Sequence, residues 1–191
     1  MRTFIFLALG GLLLIAVIGA FWWLKGPAST PVAQTPAYVV PNDAPLTPPR
    51  TPPQGFKEYR SEFYRFEVFY PEDLTVQTHP ETRSGVTLLF KNADLSKGFQ
   101  VYITPYGGAD ITERMIANDA PSGVVNNRST TTLDGAQVLT FNGSDPSLGD
   151  TREVWFIKEG FLYEVTAPKA LESWLVDILR SWIFLERGKT I

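Results

Sequence analysis

Apolar residues fill the start of the chain without interruption. Phe4 to Leu24 is a run of 21 residues with no charge, rich in Leu, Ile, Phe, Ala and Gly. At about 1.5 Å of rise per residue, a helix of that length crosses the roughly 30 Å of a hydrocarbon core. Residues 1–25 are therefore expected to form a transmembrane anchor that meets the lipid bilayer through Phe4 to Leu24. Trp22 and Trp23 stand at its far end beside Lys25, where amphipathic indoles favour the headgroup level. The starting amine and Arg2 outweigh Lys25, which directs the N-terminus to the cytoplasm and the rest of the chain to the extracytoplasmic side of the cell membrane. The rival reading is a cleaved secretory signal with Ile18-Gly19-Ala20 as its cleavage triplet. The apolar run exceeds the roughly 7–15 residues of such a signal, which favours a retained single-pass anchor. Ala16 and Ala20 have the small-xxx-small spacing of a helix-pairing face, a spacing that lipid-facing filler also produces.

The pattern then breaks. Nine of the 29 residues from Gly26 to Gln54 are Pro, the charges there are Asp43 and Arg50, and large apolar residues are sparse. Such a segment cannot build a core and favours extended polyproline II, so residues 26–55 read as an extracytoplasmic linker reaching up to roughly 90 Å at about 3.1 Å per residue. Thr47-Pro48-Pro49-Arg50-Thr51-Pro52-Pro53 could dock a proline-recognition module. A spacer accounts for it better, since those modules are read mostly inside cells.

Residues 56–191 read as short strands, turn signals and two helices. In Tyr64 to Tyr70 the residues Tyr64, Phe66, Val68 and Tyr70 share one face, and Pro71 ends the strand. Leu74 to Thr78, Val86 to Phe90 and Phe99 to Thr104 suggest a meander. Asp110-Ile111-Thr112-Glu113 has capping-box spacing for a short helix that Pro121 and Gly123 close. Asp134-Gly135 predicts a hairpin between Val124–Leu133 and Ala136–Phe141, and Lys158-Glu159-Gly160 a second between Arg152–Ile157 and Phe161–Thr166. Val154-Trp155-Phe156-Ile157 is apolar on both faces, so both faces of the sheet need cover. After Pro168, the spacing of Leu171, Trp174, Leu175, Ile178 and Trp182 predicts an amphipathic helix, polar at Lys169, Glu172, Ser173, Asp177 and Arg180.

The run Tyr59-Arg60-Ser61-Glu62-Phe63-Tyr64-Arg65-Phe66-Glu67-Val68-Phe69-Tyr70-Pro71-Glu72-Asp73-Leu74 resembles the opening of PsbP-like domains, in which an aromatic strand enters a Tyr-Pro turn. The order of elements that follows is similar as well, down to the terminal Ser181-Trp182-Ile183-Phe184. The resemblance implies an α+β fold, an antiparallel sheet with helices packed on both faces as an α-β-α sandwich. The best-known members are extrinsic subunits of photosystem II, and the fold is shared with a Ran-binding import factor; both dock on other proteins. The membrane helix and linker depart from the photosynthetic proteins, so membrane-anchored bacterial members are the nearer analogues and a photosystem role does not carry over.

Charge and candidate chemistry narrow the function further. From Gly55 to Ile191 there are 14 basic and 19 acidic residues and no Lys/Arg run, which excludes nucleic acid as the expected partner. The sequence has no Cys, which removes disulfides, thiol catalysis and thiolate metal sites. Its one His, His79, lies beside Pro80 and Glu81 in an expected turn, and Glu72-Asp73 reads as turn chemistry. Asn142 to Asp150 is rich in oxygen ligands but lacks the spacing of a calcium loop, and Tyr106-Gly107-Gly108 reads as a connector. No catalytic, cofactor-binding or metal residue is assigned on this basis. The expected function is a tethered binding or assembly module with an envelope protein as partner. A sensor or carrier of a small apolar ligand comes second and a hydrolase third.

Overall fold

Eight of the ten strands among the described residues follow from the pattern just described. A computed structural model describes residues 47–81, 85–120 and 123–186. The strands are β1 (Phe56–Ser61), β2 (Phe66–Pro71), β3 (Thr75–Pro80), β4 (Val86–Lys91), β5 (Gly98–Pro105), β6 (Asn126–Leu133), β7 (Ala136–Asp145), β8 (Gly149–Lys158), β9 (Phe161–Pro168) and β10 (Ile183–Phe184). Helix α1 (Glu113–Asp119) lies between β5 and β6; a 3-10 turn (Lys169–Leu171) leads into α2 (Glu172–Leu179) after β9. A seven-stranded sheet has the order β3-β4-β5-β9-β8-β7-β6, and a three-stranded sheet has the order β1-β2-β10. Every pairing is antiparallel. The span Phe4 to Leu24 lies outside the described residues, among which no helix is long and apolar enough to cross a membrane.

Turn chemistry sets the registers. Asp134 and Gly135 have φ of 43° and 75°, and Glu159 and Gly160 have 53° and 84°. Two consecutive positive φ values make the two-residue turn whose twist matches antiparallel strands. Leu133 accordingly pairs with Ala136, and Lys158 with Phe161. Helix α1 starts two residues later than its capping-box spacing predicts. Thr112, in extended backbone, is the N-cap and accepts from Met115 N at 3.3 Å, while Glu113 sits in the first turn and pairs with Arg128. There its charge favours the N-terminal end of the helix dipole.

One face of the large sheet carries the main core. Its buried set includes Leu88, Phe90, Val101, Val154, Phe156, Tyr163 and Val165, which meet Phe66 and Val68 of β2, Leu175 and Ile178 of α2, and Trp182. The Phe66 and Trp182 rings stack at 4.2 Å between centroids, and Phe156 stacks on Tyr163 at 5.0 Å. The second face holds a smaller cluster in which Ile116 and Ala120 pack with Phe141 and Trp155. Val154 and Phe156 thus point into one layer and Trp155 into the other, as the two-sided apolar run requires. The expected α-β-α sandwich is corrected in kind: a three-stranded sheet together with α2 covers one face, and one seven-residue helix sits on the other. Few residues are helical because β1, β2 and β10 supply the cover that a helical layer would have given.

The outer side of β2 is covered as well. Glu67 and Phe69 alternate with the inward Phe66 and Val68, yet they are 0% and 7% exposed. The described end of the Pro-rich stretch lies over them. Arg50 Nε donates to Glu67 Oε1 at 2.7 Å and its guanidinium lies 4.4 Å from the Phe69 ring centroid. Thr47 accepts from Arg60 through its carbonyl oxygen and from Glu186 N through its hydroxyl. Arg50 is therefore used within the domain rather than offered to a proline-recognition partner.

Candidate functional site: an acidic cleft on the second face

The cleft arises from two rows of side chains that the strand register aligns. Thr87, Tyr102, Glu164 and Trp155 form one row across β4, β5, β9 and β8; Leu89, Gln100, Thr166 and Glu153 form the next. Because side chains alternate along a strand, all eight face away from the main core. Asn118 and Asp119 of α1 and Glu81 after β3 form the rim, and the space enclosed is about 400 Å³. Four carboxylates line it, Glu81, Asp119, Glu153 and Glu164, with no Lys or Arg among the described lining residues.

The two central acids differ in their surroundings. Glu153 is 3% exposed, and its carboxylate accepts from Thr151 Oγ1 and Thr166 Oγ1, each at 2.7 Å, and from Trp155 Nε1 at 3.2 Å. Three donors fix its orientation. Gly143 makes room for this arrangement: a Cβ there would lie 2.8 Å from Thr151 Oγ1 and 3.3 Å from Glu153 Cγ. Glu164 is 7% exposed, and among the described residues its Oε1 has no hydrogen-bond partner. Burial, then the nearby charges of Asp119 and Glu153, push its carboxyl up to about 8. At neutral pH Glu164 is therefore mostly protonated, next to a neighbour whose oxygens are fully bonded.

A second concavity, about 520 Å³, lies between α2 and strands β6 to β8. Val138, Val154, Leu175, Leu179 and Trp182 give it apolar walls, and Arg152 and Arg180 reach it from the sides. Among the described residues Trp182 Nε1, buried beside it, has no hydrogen-bond partner.

The residues singled out in the sequence fall elsewhere. His79 is in strand β3 rather than in a turn, paired with Thr87 and exposed. It extends the row that holds Glu164, but three strands away, about 14 Å at the usual strand spacing. Glu72 and Asp73 form an exposed turn. Asn142 to Asp145 belong to β7 and Gly149 opens β8; Asp145 Oδ1 accepts from Ser147 N and Leu148 N, so the stretch is a hairpin connection closed by an Asx turn. None of these residues lines the acidic cleft. Sequence reasoning misses Glu153 and Glu164 although both carry a signal: Glu164 stands between Tyr163 and Val165, Glu153 borders the apolar run that starts at Val154, and both strands belong to a sheet expected to be covered on both faces.

No family model matches this sequence, and no curated protein matches it. Among solved structures, it is similar to cyanobacterial PsbP from Synechocystis sp. PCC 6803, determined in solution, with a TM-score of 0.52 and 15% identity. The match covers 68% of this chain and 92% of that one. At that identity the likeness speaks for the fold, and the fold of this chain is PsbP-like.

Proposed function

We propose that this chain is a membrane-tethered, extracytoplasmic module that binds an envelope protein and holds an assembly together without catalysing a reaction. The observation that carries the reading is the acidic cleft: four carboxylates and no base among its described lining residues, open at the rim of a short helix. Such a site attracts a positively charged surface and has a shape that can select it. Glu153 is held by three donors, which suits a fixed part of a binding surface. A PsbP-like fold is compatible with a non-catalytic accessory role. Tethering rests on the charge-free run Phe4 to Leu24 and the Pro-rich stretch after it. The test is affinity purification of the tagged full-length chain from its native membranes. The same stoichiometric partner should return from wild type and be lost from Glu164→Lys; a wild-type chain that returns no partner, with all envelope complexes intact after its deletion, contradicts the proposal.

The apolar concavity beside α2 favours a second reading, a carrier of a small apolar ligand. Native mass spectrometry of the full-length chain released from membranes should then show a bound lipid-sized mass that disappears in Val154→Trp, a substitution that fills the space.

A further inference from the structure

We infer that the acidic cleft receives the side chain of a single lysine from a protein partner, with Glu164 as the group that meets its ammonium. This rests on the binding-module reading and names what that module recognises.

Three observations select this ligand. The first is Oε1 of Glu164, which has no hydrogen-bond partner among the described residues and belongs to a side chain 7% exposed on the wall of a cleft with an acidic rim. A buried acceptor without a donor is costly, and an incoming cation with N–H donors relieves that cost. The second is the number of acceptor positions on offer. Both oxygens of Glu153 are already engaged, so of the two central acids it is Glu164 that is left to meet a cation. The third is the wall beside it: Tyr102, half-buried on the neighbouring strand, flanks Glu164 and offers a ring along which a four-carbon stem can lie. A divalent cation fits less well, because among the described residues no three acids or histidines are disposed to hold a metal ion.

Binding is then coupled to a proton. Glu164 faces Glu153 from β8, Tyr102 from β5, Asp119 from α1 and Glu81 from the rim. Burial, and then the nearby Asp119 and Glu153, keep Glu164 protonated near neutrality. An arriving ammonium stabilises the carboxylate, so the carboxyl proton leaves to solvent as the lysine enters, and the lysine keeps its own.

The experiment uses the full-length chain in lipid nanodiscs and a fluorescent peptide in which one Lys is flanked by Gly and Ser. Its controls are the Nε-acetyl-lysine peptide and calcium chloride alone. Expected are binding of the Lys peptide and none of the acetylated one. Affinity should rise about tenfold from pH 7 to pH 9, the change in ionised fraction of a group titrating near 8. Calorimetry in buffers of different ionisation heat should show protons released on binding. Glu164→Gln should weaken binding at least tenfold and remove the pH dependence, with an unchanged circular dichroism spectrum as the folding control. Asn118→Lys, which places a lysine at the rim, should block the peptide. Equal binding of the acetylated peptide, or an unaltered Glu164→Gln, overturns the inference. Calcium that binds alone and expels the peptide overturns it in favour of a metal site. If those failures occur while the membrane complex persists, the lysine is wrong and the module reading stands; absence of any complex sinks the module reading itself.

Discussion

Arg50 Nε lies 2.7 Å from Glu67 Oε1, and Arg60 Nη1 lies 2.8 Å from the other oxygen of the same carboxylate. A fully buried acid on β2 is thus held by two guanidinium groups, one of which comes from the end of the Pro-rich stretch. Removing one partner of a buried ion strands the remaining charge, although Arg60 persists and Arg50 is 32% exposed, which moderates the loss. Arg50→Ala is expected to cost roughly 1–3 kcal/mol in urea unfolding. A chain beginning at Gly55 should lose at least as much, and one beginning at Thr47 should not.

Trp182 stacks on Phe66 and also borders Phe156 and Tyr163. Trp182→Ala should cost about 3–5 kcal/mol through lost contacts and a cavity. Trp182→Phe should cost much less, because the indole N–H it removes has no partner among the described residues. Thermal melts of the two variants separate packing from hydrogen bonding at this position.

Glu164 makes stability depend on pH. Its folded-state value, about 8, lies above the ordinary 4.5, so the folded chain holds more protons than the unfolded one between those limits. The stabilisation is present at the acid end of this window and is lost as pH rises through it, by at most about 1.4 kcal/mol per pH unit. The urea midpoint should fall between pH 5 and pH 8, and Glu164→Gln should flatten that slope. A midpoint that rises across the window contradicts the assignment.

Gly143 tests the construction of the cleft. Ala at this position would press on Thr151 Oγ1 and Glu153 Cγ, so it should loosen the hydrogen bonds that orient Glu153 and cost about 1–3 kcal/mol. In the wild type, exchange of the Trp155 Nε1–H proton should be slow, and in Gly143→Ala it should be faster.

The sheet was legible in the sequence because its determinants are local. Asp134-Gly135 and Glu159-Gly160 announce positive φ, and the doubly apolar Val154 to Ile157 announces cover on both faces. The three-stranded sheet was not legible. Ile183 and Phe184 form too short a strand to show periodicity, and they are placed by distant groups: β2 across the pairing, and Asp134 Oδ2, which accepts from Phe184 N at 2.6 Å. Asp134 therefore serves the hairpin turn and anchors β10 as well. The cleft was hidden for a related reason. Glu153 and Glu164 lie eleven positions apart, and their approach follows from a register that pairs Glu153 with Thr166 and Trp155 with Glu164. His79, conspicuous as a residue type, falls on an edge strand away from both acids.

The most direct test of the account is site-specific photo-crosslinking of the full-length chain in intact cells, with the photoreactive residue at Asn118 on the rim of the cleft or at Asp177 on the exposed side of α2. The account predicts one discrete adduct from Asn118, absent from Asp177, abolished by Glu164→Gln and mapping to a lysine-bearing segment of an envelope protein. The same adducts from both positions, or an Asn118 adduct that survives Glu164→Gln undiminished, would contradict it.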